Sequence, residues 1–180
     1  MDIQTLKGSL CNVDPCMSGS VILEERDNSA TLKKITICDI PNDALIVKMD
    51  NNVRFSNFLR DQKAWGFNKH SDYLIITNDK IVFIEMKSRE EVNQELINDC
   101  ERKFTSDNCT MLYADSIFRE LLSKQSFFDK REPHYVLLYQ NPSVTKTLTT
   151  LEKVLPNTTP KSFRKIPISN DGIVSYYRTV

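Results

Sequence analysis

The chain has little glycine, a single tryptophan, two histidines and no excess of either charge. Each shortage excludes something. With 4 glycines and 7 prolines in 180 residues there is no linker-rich or low-complexity tract, and no internal repeat is visible. The 24 basic and 24 acidic side chains cancel, so the chain is not a uniformly basic nucleic-acid coat. Binding nucleic acid would require its basic groups to gather on one face. Near the end they do gather: Lys146, Lys153, Lys161, Arg164, Lys165 and Arg178 are opposed by Glu152 and Asp171. That stretch reads equally as a nucleic-acid footprint or as a solvated face. No apolar run approaches the ~20 residues of a membrane span, and the start of the chain lacks the basic, then apolar, pattern of a secretory signal. A soluble, cytoplasmic protein with no membrane partner is expected. The five cysteines fall at irregular spacing, a poor disulfide framework. Cys11 and Cys16 are close enough to begin a zinc site, but no second Cys/His pair follows and His70 and His134 lie far apart. Reduced thiols are the simpler reading.

What remains is ordinary globular composition, 40% hydrophobic and 27% charged, at a length that suits one domain over residues 1–180. Residues 1–19 read as a loose lead-in. Residues 20–25 and 32–40 read as strands around a polar turn, forming an N-terminal β-hairpin. Residues 44–49 make a third short apolar segment. Residues 51–65 place Val53, Phe55, Phe58 and Leu59 among charges at helical spacing, with Gly66 to end the helix. Residues 72–77 and 81–87 are strands joined by a turn at 78–80. Both are almost continuously apolar, as strands covered on both faces are. Ser88 and Glu91 have the spacing of a capping box for a helix with Val92, Leu96, Ile97, Cys100 and Phe104 inward. A second helix is expected to bury Met111, Ala114, Ile117, Phe118, Leu121 and Leu122. A strand at 135–139, a helix at 144–155 and a closing pair of strands at 166–168 and 173–177 complete a mixed α/β or α+β fold, a central mixed sheet flanked by helices.

The chemistry concentrates in residues 71–88. Side chains alternate across a strand, so Glu85 and Lys87 share one face at the end of an otherwise apolar run. Asp72 begins the antiparallel partner. A turn centred near Asp79 sets Glu85 opposite residue 73 to within one residue, so two carboxylates and one amine converge at the open end of the hairpin. A buried charge is costly unless paired or bound to metal. Magnesium takes oxygen ligands, often only one or two of them protein carboxylates. A bound metal makes a nucleophile of water at neutral pH and stabilises charge on a phosphate. Asp72 and Glu85 fit the ligand role, with the Met86 carbonyl as a further oxygen, and Lys87 fits the positioning of water or phosphate.

Asp72, the hairpin, the Glu85-Met86-Lys87 triplet and the helix after it resemble the PD-(D/E)xK nuclease superfamily over residues 50–140. That resemblance implies a restriction-endonuclease-like αβββαβ core, Mg²⁺ or Mn²⁺ as cofactor and hydrolysis of nucleic-acid phosphodiesters, with DNA as the expected substrate. It also implies targeting by a homo-oligomer or a partner protein, as in an effector of prokaryotic defence. Ser71 stands where the family usually has proline. Asp50 and Asp61 are candidates for an upstream acid, and Gln94 for a glutamine on the following helix. Lys69, His70 and Arg89 are candidates for phosphate contact, with Arg60 and Lys63 extending a basic rim. Trp65 and Phe67 could stack a base, though they suit core packing better. The alternative is a catalytically silent module of the same fold, a structural subunit or nucleic-acid adaptor. An ion pair at a strand end would show the same triplet and contributes only ~0–1 kcal/mol.

Overall fold

The computed structural model describes residues 1–8, 13–16, 19–25, 29–49, 69–141, 156–169 and 171–180. The expected helices at 51–65 and 144–155, with Asp50, Asp61, Arg60, Lys63, Trp65 and Phe67, lie outside the described residues, as does Cys11.

The apolar runs build two sheets. The larger has six strands: β1 (Val13–Pro15), β4 (Leu45–Lys48), β5 (Tyr73–Ile76), β6 (Lys80–Lys87), β7 (Glu132–Gln140) and β8 (Arg164–Ile168), in that spatial order. Its first four strands are antiparallel neighbours, while β6, β7 and β8 run parallel. The smaller sheet sets β3 (Lys34–Cys38) between β2 (Val21–Glu24) and β9 (Gly172–Ser175), antiparallel to the first and parallel to the second. The N-terminal hairpin therefore exists, with shorter strands than the sequence suggested.

Parallel strands need a long crossover, and α2 (Gln94–Glu120) supplies it between β6 and β7. Its Leu96, Cys100, Phe104, Met111 and Phe118 pack on Ile81, Phe83, Tyr135 and Leu137. The opposite face of the central sheet, with Ile75, Val82, Ile84, Val136 and Leu138, packs on Leu23, Ile35, Ile37 and Val174 of the smaller sheet. The order of layers is helix, six-stranded sheet, three-stranded sheet. This is a mixed α+β fold with a central mixed sheet, and β5 and β6 are covered on both faces as their unbroken apolar runs require.

Five expectations are corrected. The lead-in carries a helix, α1 (Ile3–Lys7), which buries Ile3 and Leu6, and also β1. The two helices expected between 88 and 122 are one helix of 27 residues, since neither glycine nor proline interrupts it. Its inward-facing Ser106, Asp107 and Thr110 mimic a polar break. That helix starts later than the capping box implied. Asn93 is the cap and accepts the Leu96 N–H at 2.9 Å, while the Ser88 hydroxyl accepts the Leu32 N–H at 2.9 Å. Leu121 and Leu122, expected inside, are exposed beyond the helix end. The closing strands do not pair together: β8 extends the central sheet and β9 joins the smaller one.

Candidate active site

Thr77 and Lys80 close a tight turn around Asn78 and Asp79, with the Thr77 N–H donating to the Lys80 carbonyl at 2.9 Å. This turn pairs Tyr73 with Ile84, one residue from the register read off the sequence. The shift brings Asp72 alongside Glu85. The Asp72 N–H donates to the Ile84 carbonyl at 3.0 Å, and Asp72 Oδ2 accepts the Met86 N–H at 2.6 Å. At Met86, then, the backbone N–H is engaged by the acid that precedes β5, and the Met86 side chain points away into the opposite core layer.

Glu85 follows Ile81 and Phe83 on the α2 face and is fully buried, at 0% exposure. Its Oε1 accepts two ammonium groups, from Lys87 at 2.7 Å and from Lys103 of α2 at 2.6 Å. Its Oε2 is buried and has no hydrogen-bond partner among the described residues. Burial pushes the Glu85 carboxyl up from its ordinary range, against the opposing pull of Lys103 and Lys87. Burial alone would pull Lys103 down, but Glu85, Asp72 and Asp99 outweigh it and hold the ammonium above the ordinary lysine range. Cys100, one turn before Lys103 side by side with Glu85, is pushed up to about 12 by burial and then by that carboxylate. Its thiol is therefore not a nucleophile at neutral pH.

Around this centre the structure brings some expected residues together and turns others aside. Lys87 also lies 3.9 Å from Asp99 Oδ2, whose Oδ1 is 3.3 Å from Lys69. Lys69 is exposed at the rim. His70, expected to meet phosphate, instead points inward: its Nδ1 is 2.8 Å from Asp107 Oδ1, and the Ser71 N–H donates to Asp107 Oδ2 at 3.0 Å. Arg89 is exposed past the end of β6, and Gln94 bonds Asn98 along the exposed side of α2.

Lys103, Asp99 and Asp107 were missed in the sequence. They recur every four residues beside Leu96, Cys100, Phe104 and Met111, along the edge of the buried stripe, with Asp107 fully inside it. A charged residue on an apolar stripe is the signal that could have found them.

The donor set fits a magnesium-like ion in type. Asp72 and Glu85 supply two carboxylates from facing positions of the hairpin, and the buried Glu85 Oε2 is without a partner among the described residues. No group of three or more His, Cys, Asp or Glu side chains is arranged to hold a metal among the described residues. The remaining ligands would be backbone oxygen, water and phosphate. No helix among the described residues is long and apolar enough to cross a membrane. No family model, no curated protein and no solved structure matches the chain.

Proposed function

We propose that the chain is a metal-dependent nuclease, with Asp72 and Glu85 as the carboxylates that hold Mg²⁺ or Mn²⁺ and DNA as the first substrate class to test. The observation that carries this reading is Glu85 Oε2. A fully buried carboxylate has one oxygen served by two ammonium groups and the other by no described residue. Leaving a charged acceptor so placed costs about 1–3 kcal/mol or more, and such exceptions concentrate where a ligand or a reaction uses them. When bound, the ion supplies a water of lowered pKa and stabilises charge on the phosphate.

The chain's own groups divide the remaining work. Asp72 is fixed by the Met86 N–H, and Glu85 by Lys103. Lys87 is the more exposed of the two lysines, at 26% against 15%, and is the one suited to meet water or a phosphate oxygen. Asp72, Glu85, Lys87 and Lys103 cancel in charge, so the metal would add to the attraction for a polyanion that rim cations such as Lys69 supply. Targeting by an oligomer or a partner protein, and a role in prokaryotic defence, remain what the family resemblance implies.

One observation favours a second reading. Every described carboxylate of the centre already accepts an N–H or ammonium donor, which a purely structural ion network would also show. Cleavage of plasmid, single-stranded DNA and RNA in Mg²⁺, Mn²⁺ and chelator separates the two. The nuclease reading expects metal-dependent cleavage that falls about 10²–10³-fold in Glu85→Ala and in Lys87→Ala. It also expects Mn²⁺ to raise the melting temperature of the native chain but not of Glu85→Ala, since a ligand at a hundred times its Kd stabilises by about 2.7 kcal/mol. No cleavage and no metal-induced shift would establish the structural network instead.

A further inference from the structure

Asp99 occupies an unusual position at the mouth of this site. It lies on the second turn of α2, and its two carboxylate oxygens face two different ammonium groups, Lys69 at 3.3 Å and Lys87 at 3.9 Å. Lys69 lies in the segment before β5 and Lys87 ends β6, so the two cations come from the two arms of the hairpin's open end and the anion between them from the helix. All three side chains are partly open to solvent, at 47%, 31% and 26% for Lys69, Asp99 and Lys87. The geometry is that of an anion held between two lysines at a water-accessible rim. An exposed carboxylate–lysine pair contributes only about 0.2–1 kcal/mol. A phosphate of a polyanion, which releases condensed counterions on binding, competes with such a pair readily.

We infer that Lys69 and Lys87 form a seat for a backbone phosphate of nucleic acid, and that Asp99 fills this seat as an internal stand-in until the phosphate displaces it. The inference rests on the nucleic-acid reading above, but not on catalysis. Asp99 thus acts as a tether that lowers affinity for any phosphate the rest of the surface cannot help to bind. Glu85 keeps its second ammonium, Lys103, when Lys87 turns to the phosphate.

The test is binding of a short fluorescein-labelled DNA duplex, and separately of a single strand, followed by anisotropy in chelator over a range of salt. Asp99→Asn should tighten binding about two- to fivefold and steepen the dependence of log affinity on log salt by about one to two phosphate contacts. Glu95→Gln removes the same charge one turn earlier on the exposed surface of α2 and should do neither. In a Lys69→Met/Lys87→Met background, Asp99→Asn should lose its effect. If Asp99→Asn matches Glu95→Gln, or tightens binding equally without the two lysines, the seat does not exist. Because chelator prevents cleavage, the outcomes stay separate. A protein that binds as expected yet never cleaves retracts only the nuclease reading. A protein that cleaves, but ignores Asp99→Asn, retracts only the seat.

Discussion

Lys103 carries a burden that neither partner in the strand triplet could carry alone. It comes from the helix, is largely buried, and gives its ammonium to a carboxylate that water does not reach. Its pKa is raised by Glu85, Asp72 and Asp99 against the opposing effect of burial. A lysine whose folded pKa exceeds its unfolded value contributes stability that is fully present below the unfolded value, about 10.4, and is lost as pH rises through the folded one. Lys103→Met should therefore cost about 2–4 kcal/mol at neutral pH, because Glu85 stays buried with one counter-ion. It should also show a shallower loss of stability in strong alkali than the native chain. Urea unfolding at about pH 8 and at about pH 11 measures both; parallel losses would mean that Lys103 titrates like a solvent lysine. Asp72, Glu85 and Lys87 were legible because strand alternation fixes the face of a residue from its number. Lys103, Asp99 and Asp107 were not, because helical charges usually face solvent, and nothing local marks the exceptions except the apolar neighbours they share.

At the scale of elements, one carboxylate of α2 ties the helix to the two residues that lead into Asp72 and β5. Asp107 accepts from the Ser71 N–H and lies 2.8 Å from the His70 ring, so it fixes the two residues immediately before Asp72. Asp107→Ala would leave a buried backbone N–H and a buried imidazole nitrogen without their partner, at a cost of about 2–4 kcal/mol. Hydrogen exchange should show the gain in amide exchange concentrated at Ser71 and the β5–β6 pairing rather than spread over the smaller sheet. Uniform exchange would deny Asp107 its local role. The β5–β6 hairpin was readable to within one residue, since two apolar runs around a polar turn admit few registers. The extent of α2 was not, because its buried Ser106, Asp107 and Thr110 resemble a loop until their position against the sheet is known. The partners of β8 and β9 were hidden for a similar reason: both are short apolar runs, and only the tertiary fold assigns them to different sheets.

At the scale of the whole molecule the described residues stack in layers: the candidate site lies on the α2 side of the central sheet, and the smaller sheet covers the other side. The two are linked by Tyr73, whose hydroxyl bonds both the N–H and the carbonyl of Glu24 at 2.9 Å. The smaller sheet closes through Gly172, where an added Cβ would stand 2.3 Å from the Ile168 side chain and 2.7 Å from the Ser169 carbonyl. Gly172→Ala should cost about 1–3 kcal/mol by overpacking, read as a lower urea midpoint. A native midpoint would mean that β8 and the turn after it yield freely. The pairing that Gly172 permits sets β3 beside β9. At about 5–20 residues per second of synthesis, β3 waits on the order of ten seconds for β9 to be made. Throughout that interval the hairpin presents an open edge to every other chain nearby. Pairing with β9 is therefore also what covers the β3 edge that the nascent hairpin leaves open.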